Sequence, residues 1–171
     1  MMNKLEISRD VLDDTDPRLR QKCVEWDPKS VPESEMKRLL LEMKETMRQE
    51  GGVGLAAPQV GVGLRVFVME ASGNMRYGDI SNIPFQAFIN PKIEKYGKKT
   101  GKFEEGCLSV KECRISMLRP KHIVATWLDE NLRPRRQRLK GVAARIFQHE
   151  YDHLDGILIK DYLPEEWQNL V

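Results

Sequence analysis

The sequence has few cysteines, no long apolar run and little net charge. Its three cysteines, Cys23, Cys107 and Cys113, are odd in number and widely scattered, unlike a disulfide framework. A reducing compartment is the simplest interpretation, in which the thiols remain available as ligands or core residues. No apolar stretch approaches the length of a membrane span, and the N-terminus lacks the apolar segment of a secretory signal. We therefore expect neither a disulfide-stapled secreted domain nor a membrane protein.

The charges nearly cancel, with 28 Lys and Arg against 26 Asp and Glu. A net charge of +2 does not by itself favour a nucleic-acid or membrane partner. The hydrophobic fraction of 40% and the charged fraction of 32% are typical of a globular protein. The 171 residues suit one sizeable core, and no repeat or linker divides them. We therefore predict a single domain over residues 1–171.

Hydrophobic periodicity predicts a first helix that ends at Gln49, before two glycines. Ser30–Glu33 resembles a capping box at its start, with Pro32 tolerated in the first turn. The apolar residues that recur at helical spacing are Met36, Leu39, Leu40, Met43 and Met47.

Several strands and a late helix follow. A polar loop is predicted over 72–84, and the second helix begins at Val142 and ends near Gly156. This order predicts an α+β fold, with mostly antiparallel or mixed sheets around the late helix. The predicted strands are 64–70, 86–93, 123–129 and 135–141, the last two forming a hairpin.

The segment HEYDH, at 149–153, is the first candidate for chemistry. On a helix, His149 and His153 lie one turn apart on one face, with Cβ atoms about 5–6 Å apart. Two imidazoles at this spacing can bind one metal ion, and Glu150 can reach a water on it as general base. The alternative is a helix with two solvated or core histidines, because this motif also occurs by chance.

A catalytic metal normally needs a third protein ligand. The longer peptidase pattern fails, because Ile159 stands at its third histidine. Glu165 and Glu166 leave little chain for a second helix to fold back, and His122 precedes a predicted strand. Cys107, in EEGCLS, offers a thiolate that suits iron or zinc, although free cysteines are often simply buried.

A glycine-rich segment, GVGLAAPQ at 52–59, leaves the backbone bare and ends on Gln59, which can donate a hydrogen bond. Alone it indicates only a tight turn. Together, GVGLAAPQ, EGCLS and QHEYDHLDG occur in the order of the three signature motifs of the peptide deformylases, and the chain resembles that family. The resemblance extends to DPRLR at 16–20 and NPKI at 90–93, and so covers most of the chain.

The resemblance implies an enzyme that removes the N-formyl group from the initiator methionine of new polypeptides and releases formate. It implies one divalent metal ion per chain, Fe2+ physiologically, for which Zn2+, Ni2+ or Co2+ can substitute. A metal-bound hydroxide would attack the formyl carbon, with Glu150 as general base and acid. The implied metal ligands are Cys107, His149 and His153.

The resemblance also assigns roles around the metal. Gln59 and the backbone N–H of Leu108 match the groups that stabilise the oxyanion. Gly54 matches a glycine whose backbone pairs with an extended substrate. The residues that correspond to the methionine pocket are Val53, Phe103, Val142 and Ile146.

Two departures from the family pattern stand out. Lys111 occupies a position where the family usually has proline, which changes the expected loop after CLSV. The segment 133–140, RPRRQRLK, is unusually basic, with Arg136, Arg138 and Lys140 on one face of a strand. Its simplest interpretation is a solvated hairpin, and contact with ribosomal RNA is the alternative. The resemblance also implies that Arg119 pairs with Glu105.

The implied partners are N-formylmethionyl nascent peptides, with no membrane partner and no specific nucleic-acid binding. The resemblance favours a bacterial cytoplasm, with an organelle as the other location. Two competing functions remain. A small metallopeptidase would cleave unformylated peptides, and a non-catalytic relative would be expected to lose a ligand or Glu150.

Overall fold

The first helix, α1 (Glu33–Gln49), confirms the predicted periodicity, because its five predicted apolar residues are all buried. The computed structural model describes residues 4–71, 82–111 and 113–168. The predicted capping box is wrong. Pro32 is the N-cap, with no side-chain cap, and the Ser30 hydroxyl donates instead to the Asp27 carbonyl oxygen at 2.9 Å.

An antiparallel sheet of five strands forms the larger layer. The strands are β1 (Gly54–Ala56), β2 (Val66–Ala71), β3 (Ile83–Tyr96), β6 (His122–Leu128) and β7 (Pro134–Lys140). They lie in the order β1-β2-β3-β6-β7. The four predicted strands are confirmed with shifted ends, and β1 was not predicted. Of the predicted 72–84 loop, residues 72–81 lie outside the described residues, and Ile83 and Pro84 belong to β3.

A second sheet is the antiparallel hairpin of β4 (Thr100–Gly106) and β5 (Arg114–Pro120). This hairpin was not predicted from the sequence. β5 alternates exposed and buried positions, whereas β4 alternates exposed and half-buried ones, and the single buried position of β4 is the charged Glu105. A strand with few apolar residues gives a weak sequence signal.

The late helix, α2 (Gly141–Leu154), packs against strands of both sheets. Its length and position confirm the predicted helix within two residues. Gly156 follows with φ 75°, and a Cβ there would lie 2.6 Å from the Arg20 carbonyl oxygen, so the N-terminal arm fixes this turn. A short α3 (Glu165–Gln168) follows. The architecture is therefore α+β, with antiparallel sheets around the helix that carries HEYDH.

Aromatic packing joins α2 to the larger sheet. Phe67 and Phe88 stack with ring centroids 4.7 Å apart, and Phe147 of α2 packs edge-on against them at 4.9 and 5.2 Å.

Within the described residues, no helix has the length and apolar character needed to cross a membrane.

Candidate metal centre

Three side chains converge between α2 and the hairpin. Cys107 follows β4, and His149 and His153 project from consecutive turns of α2. Their candidate ligand atoms all lie within 4.8 Å of one another. The Cys107 Sγ is 3.3 Å from the His153 Nε2. This is the three-ligand arrangement that the sequence motifs suggested, and a thiolate with two imidazoles suits Fe2+ or Zn2+.

A buried ion-pair network orients the first histidine. The Nδ1 of His149 lies 3.1 Å from Glu105 Oε2. Arg119 donates to the same carboxylate through Nε at 2.7 Å and Nη2 at 2.9 Å, which is the expected Glu105–Arg119 pair. Because Nδ1 faces Glu105, Nε2 is the ring nitrogen left for a metal. Asp152, also on α2, accepts from Arg119 at 2.9 Å.

The network keeps its charges despite burial. Burial opposes ionisation of Glu105, but His149 and Arg119 outweigh it and hold the pKa of this carboxyl below its ordinary value. Burial likewise opposes a thiolate at Cys107, but the adjacent imidazoles of His153 and His149 hold its pKa well below the ordinary value. A deprotonated thiol is the form that binds a metal.

Glu150 is buried beside the three ligands. Burial, opposed by the charges of His149 and His153, raises the pKa of its carboxyl to about 7. Its Oε2 has no hydrogen-bond partner within the described part of the chain. A buried carboxylate oxygen without a partner is costly. This oxygen and the three-ligand cluster together fit a metal ion and its water.

Gly54, in edge strand β1, makes room for that carboxylate. A Cβ at Gly54 would lie 2.3 Å from Glu150 Oε1 and 2.8 Å from its carboxyl carbon. Only a residue without a side chain fits here while Glu150 keeps its position. The second glycine of the GVGLAAPQ segment thus lies directly against the glutamate of HEYDH.

Gln59 is held by two hydrogen bonds of its side-chain amide. Its Oε1 accepts from the Ala56 backbone N–H at 2.8 Å. Its Nε2 donates to Ser109 Oγ at 3.1 Å and lies 3.8 Å from Cys107 Sγ. The amide is therefore buried with its NH2 group toward the metal centre. Ser109 was not predicted as a site residue, although it stands in the same CLS motif.

A cavity of about 220 Å3 opens beside these groups. Of the expected substrate residues, Val53, Gly54 and Ile146 line it, as does Leu108. Phe103 and Val142 are not among its lining residues. The Arg145 guanidinium instead lies over the Phe103 ring, with 5.0 Å between the guanidinium carbon and the ring centroid. Val142 packs against the apolar cluster between α2 and the larger sheet.

The cavity is more polar than the sequence indicated. Arg114 and Arg145 line it, and neither was predicted. Arg145 lies one turn before His149 on α2, so its helical position was a usable signal.

The other candidate ligands lie elsewhere. Among the described residues, His122 is not part of the metal-ligand group, and its ring packs at the position where Gly97 would carry a Cβ. Glu165 and Glu166 are exposed on α3. Asp155 accepts from Arg65 Nη1 at 2.8 Å. The third ligand of the candidate centre is therefore a cysteine rather than a downstream carboxylate.

Comparison with known proteins points in one direction. Residues 8–169 match the family described as polypeptide deformylase. A peptide deformylase of Treponema pallidum subsp. pallidum is 40% identical over 140 residues, covering 82% of this chain and 80% of that protein. A second relative, the peptide deformylase of Zymomonas mobilis, is 38% identical over 153 residues, covering 90% of this chain and 84% of its own.

Solved structures agree with the sequence matches. One is the Met-Ala-Ser-bound crystal structure of class I type b peptide deformylase from Acinetobacter baumannii, which superposes with a TM-score of 0.87 at 29% identity. The match covers 93% of this chain and 100% of that chain. A probable peptide deformylase from Synechococcus phage S-SSM7 gives a TM-score of 0.80 at 37% identity, with 90% and 99% coverage.

Proposed function

The chain belongs to the polypeptide deformylase family of enzymes, and we propose that it removes the N-formyl group from the terminal methionine of nascent polypeptides and releases formate. One observation carries the proposal. Cys107, His149 and His153 bring their ligand atoms within 4.8 Å of one another. The buried Glu150 carboxylate lies beside them, with an oxygen that has no partner among the described residues.

We assign the metal to Cys107, His149 and His153, with Fe2+ as the physiological ion and Zn2+, Ni2+ or Co2+ as substitutes. The donor set of one thiolate and two imidazoles supports this assignment. Bound there, a divalent ion acts as a Lewis acid and lowers the pKa of a water molecule, which supplies the nucleophile near neutral pH.

The residues around the metal handle a proton and a developing negative charge. Glu150 accepts the proton of the attacking water and returns it to the departing amine. Gln59 Nε2 and the Leu108 N–H donate to the formyl oxygen as its charge develops, and one such donor contributes about 2.7–4 kcal/mol to the barrier reduction. The bond from Ala56 N–H to Gln59 Oε1 holds the amide in the orientation that this role needs.

We propose that the substrate binds as an extended strand beside β1. β1 is an edge of the larger sheet, so its outer backbone groups can pair with a peptide. Gly54 brings that backbone close to Glu150. The methionine side chain enters the cavity next to Val53 and Ile146. Behind the lining residues, Phe103 packs against Arg145, and Val142 belongs to the same apolar cluster as Val53 and Ile146.

The direct test is formate release from formyl-Met-Ala-Ser by protein prepared without oxygen and loaded with Fe2+, beside a Glu150→Ala variant with the same metal content. We expect wild-type release and a loss of at least about 100-fold in the variant, because general acid–base catalysis contributes about 10²–10⁴-fold. Unformylated Met-Ala-Ser should remain intact. Its cleavage, or no formate from the metal-loaded wild type, would contradict the proposal.

We place the activity in the bacterial cytoplasm, as the bacterial relatives suggest, and propose a contact with ribosomal RNA through the segment 133–140. The sheet register sets His122 opposite Lys140 and Val124 opposite Arg138, so Arg136, Arg138 and Lys140 share the face turned away from the buried Leu139. Arg136 also pairs with Glu94 at 2.9 Å.

The charges of neighbouring strands add to this face. The pKa of His122 is lowered, first by burial and then by the positive charges of Arg138, Lys140 and Lys95. These three cations therefore lie near His122. The opposite face of the sheet packs toward α2, which carries the metal centre. RNA on the basic face would therefore leave the cavity open.

Ribosome co-sedimentation at increasing salt tests this contact. Changing Arg136, Arg138 and Lys140 to Gln should reduce the slope of log affinity against log salt concentration by about 2. Each phosphate contact with single-stranded RNA contributes about 0.7 to this slope, and three contacts are lost. A matched variant that neutralises the exposed Lys22, Lys29 and Lys37 should leave the slope unchanged. Equal slopes for both variants would remove the proposal.

A further inference from the structure

Two of the three cysteines flank the loop that connects the two strands of the hairpin. The last pairs of the β4–β5 register are Glu105 with Ile115 and Gly106 with Arg114. Cys107 and Cys113 occupy the next position on each arm. If the strand alternation is continued by this one position, Cys107 shares a face with Glu105, and Cys113 with Ile115. Opposite side chains on one face of an antiparallel pair have Cβ atoms about 4.5–5.5 Å apart.

Packing around the two thiols supports this placement. Cys113 is a buried member of an apolar cluster with Val110 and Leu158, and Cys107 packs against the same cluster. Both cysteines line the cavity. A Cβ at Gly106 would lie 3.7 Å from the Cys113 carbonyl oxygen, so the arms are still close where the pairing ends. Cys23, in contrast, is buried in a different cluster.

Cys113 has no assigned part in the deformylase reaction. The metal-ligand group contains Cys107, His149 and His153 and not Cys113. A second thiol beside a ligand thiol is the arrangement of a resolving cysteine, which captures an oxidised partner before the oxidation becomes irreversible.

We propose that Cys107 and Cys113 are an oxidation-sensitive dithiol, which peroxide converts to an intramolecular disulfide when the metal site is empty. The proposal rests on the assignment of Cys107 as a metal ligand. A bound ion occupies the Cys107 sulfur and protects it. Without the ion, the sulfur is open to the cavity and to a small oxidant.

The chemistry balances with hydrogen peroxide as the oxidant. The Cys107 thiolate attacks one peroxide oxygen, so an S–O bond forms, the O–O bond breaks, and the leaving hydroxide takes a proton to become water. The Cys113 thiol then attacks the sulfenic sulfur as it loses its proton. An S–S bond forms, the S–O bond breaks, and a second water leaves. Two thiols are oxidised by two electrons, and one peroxide is reduced to two waters.

The disulfide would remove a ligand from the metal centre reversibly. A sulfur held by Cys113 cannot bind the ion, and a dithiol reductant restores both thiols. Without Cys113, the sulfenic acid at Cys107 continues to sulfinic and sulfonic acids, which dithiols do not reduce. Cys113 therefore preserves the ligand through a period of oxidation.

Peptide mapping tests the proposal on the full chain. Metal-free protein is treated with hydrogen peroxide, alkylated and cut with trypsin without reductant. Because Lys111 lies between the two cysteines, cleavage at Lys102, Lys111 and Arg114 yields peptides 103–111 and 112–114. We expect these two peptides joined, with two hydrogen atoms lost in mass, and separated again by dithiothreitol.

Zinc binding supplies a second readout that does not involve catalysis. Peroxide-treated wild type should fail to take up Zn2+ and should recover uptake after reduction. In Cys113→Ser, peptide 103–111 should instead carry added oxygen, with no recovery. Cys23→Ser should behave as wild type, and protein loaded with Zn2+ before peroxide should keep both thiols free.

Two results would overturn the proposal. One is a wild-type peptide 103–111 that carries two or three added oxygens while peptide 112–114 stays unlinked. The other is a disulfide that joins Cys107 to Cys23. The wild-type map needs no folded variant, and the untreated enzyme is assayed separately with formyl-Met-Ala-Ser, so failure here is distinct from failure of the deformylase assignment.

Discussion

The five-stranded sheet and the β4–β5 hairpin both pack against α2, yet they bury different kinds of side chain. The larger sheet contributes aromatic rings, such as Phe67 and Phe88, which enclose Phe147. The hairpin contributes the charged Glu105 and Arg119, which are 4% and 5% exposed. One side of the helix is therefore held by apolar contact, and the other by a network of oriented ion pairs.

This difference separates two tasks. Apolar packing contributes stability in proportion to the area and volume filled, and it imposes little direction on its partners. A buried carboxylate between a guanidinium and an imidazole fixes the direction of a ring nitrogen, but it is costly when one partner is lost. We infer that the larger sheet chiefly stabilises the protein and that the hairpin chiefly aims His149.

The largest expected effect is on the apolar side. Phe88→Ala should lower the free energy of unfolding by about 3–5 kcal/mol, because it leaves a cavity among packed rings. The affinity of the folded protein for Zn2+ should change less than about twofold. Denaturant unfolding and zinc titration measure the two quantities. A large loss of zinc affinity in folded protein would show that the apolar side also positions the ligands.

A substitution in the hairpin should change both the free energy of unfolding and the affinity for Zn2+. Glu105→Gln should destabilise the protein by about 3 kcal/mol, since it removes one partner of a buried ion pair. It should also weaken zinc binding by about 10–100-fold, because the support for His149 is altered. Glu104→Gln is the matched control, with the same charge change at an exposed position of the same strand. Equal zinc affinities in the two variants would contradict the role of Glu105.

Gly54 lies at the edge of the larger sheet, where that sheet reaches the site. Gly54→Ala should lower kcat by about 100-fold or more, because the new methyl group displaces Glu150, and general acid–base catalysis contributes about 10²–10⁴-fold. Gly63→Ala is the control, since no atom lies within 4 Å of a Cβ there. A Gly54→Ala enzyme with normal kcat would show that the Glu150 position is not restricted.

The smallest effect is expected at Ser109. Ser109→Ala removes the acceptor of the Gln59 Nε2 hydrogen bond, which is worth about 1 kcal/mol. We expect a roughly fivefold lower kcat at unchanged KM, the sign of an amide that is less well oriented for the transition state. A change confined to KM would assign Ser109 to substrate binding instead.

The sequence predicted the group of possible metal ligands more completely than the sheets around it. The i, i+4 spacing of His149 and His153 is local, so a helix necessarily brings them to one face. The β4–β5 hairpin was missed because its buried residues include the charged Glu105 and Arg119, which pair with each other and with His149 and Asp152 of α2. The capping box at Ser30 was wrong for a local reason, since the helix begins only at Glu33 with Pro32 as its N-cap, and the Ser30 hydroxyl donates to the Asp27 carbonyl oxygen.

The expected methionine pocket shows the same limit. Val53 and Ile146 line the cavity, whereas Phe103 and Val142 do not, and Arg145 does. Neighbouring positions of one helix can face a cavity or a core, and only the packing of that helix decides which.

The sequence alone determined the helix periods, the candidate ligands Cys107, His149 and His153, and the family, because these depend on residue identity and short spacing. Tertiary structure decided which groups support them. It set Glu105 against His149 and Gly54 against Glu150. Those contacts join segments far apart in the chain, and strand register and helix packing fix them through long-range interactions that no local pattern encodes.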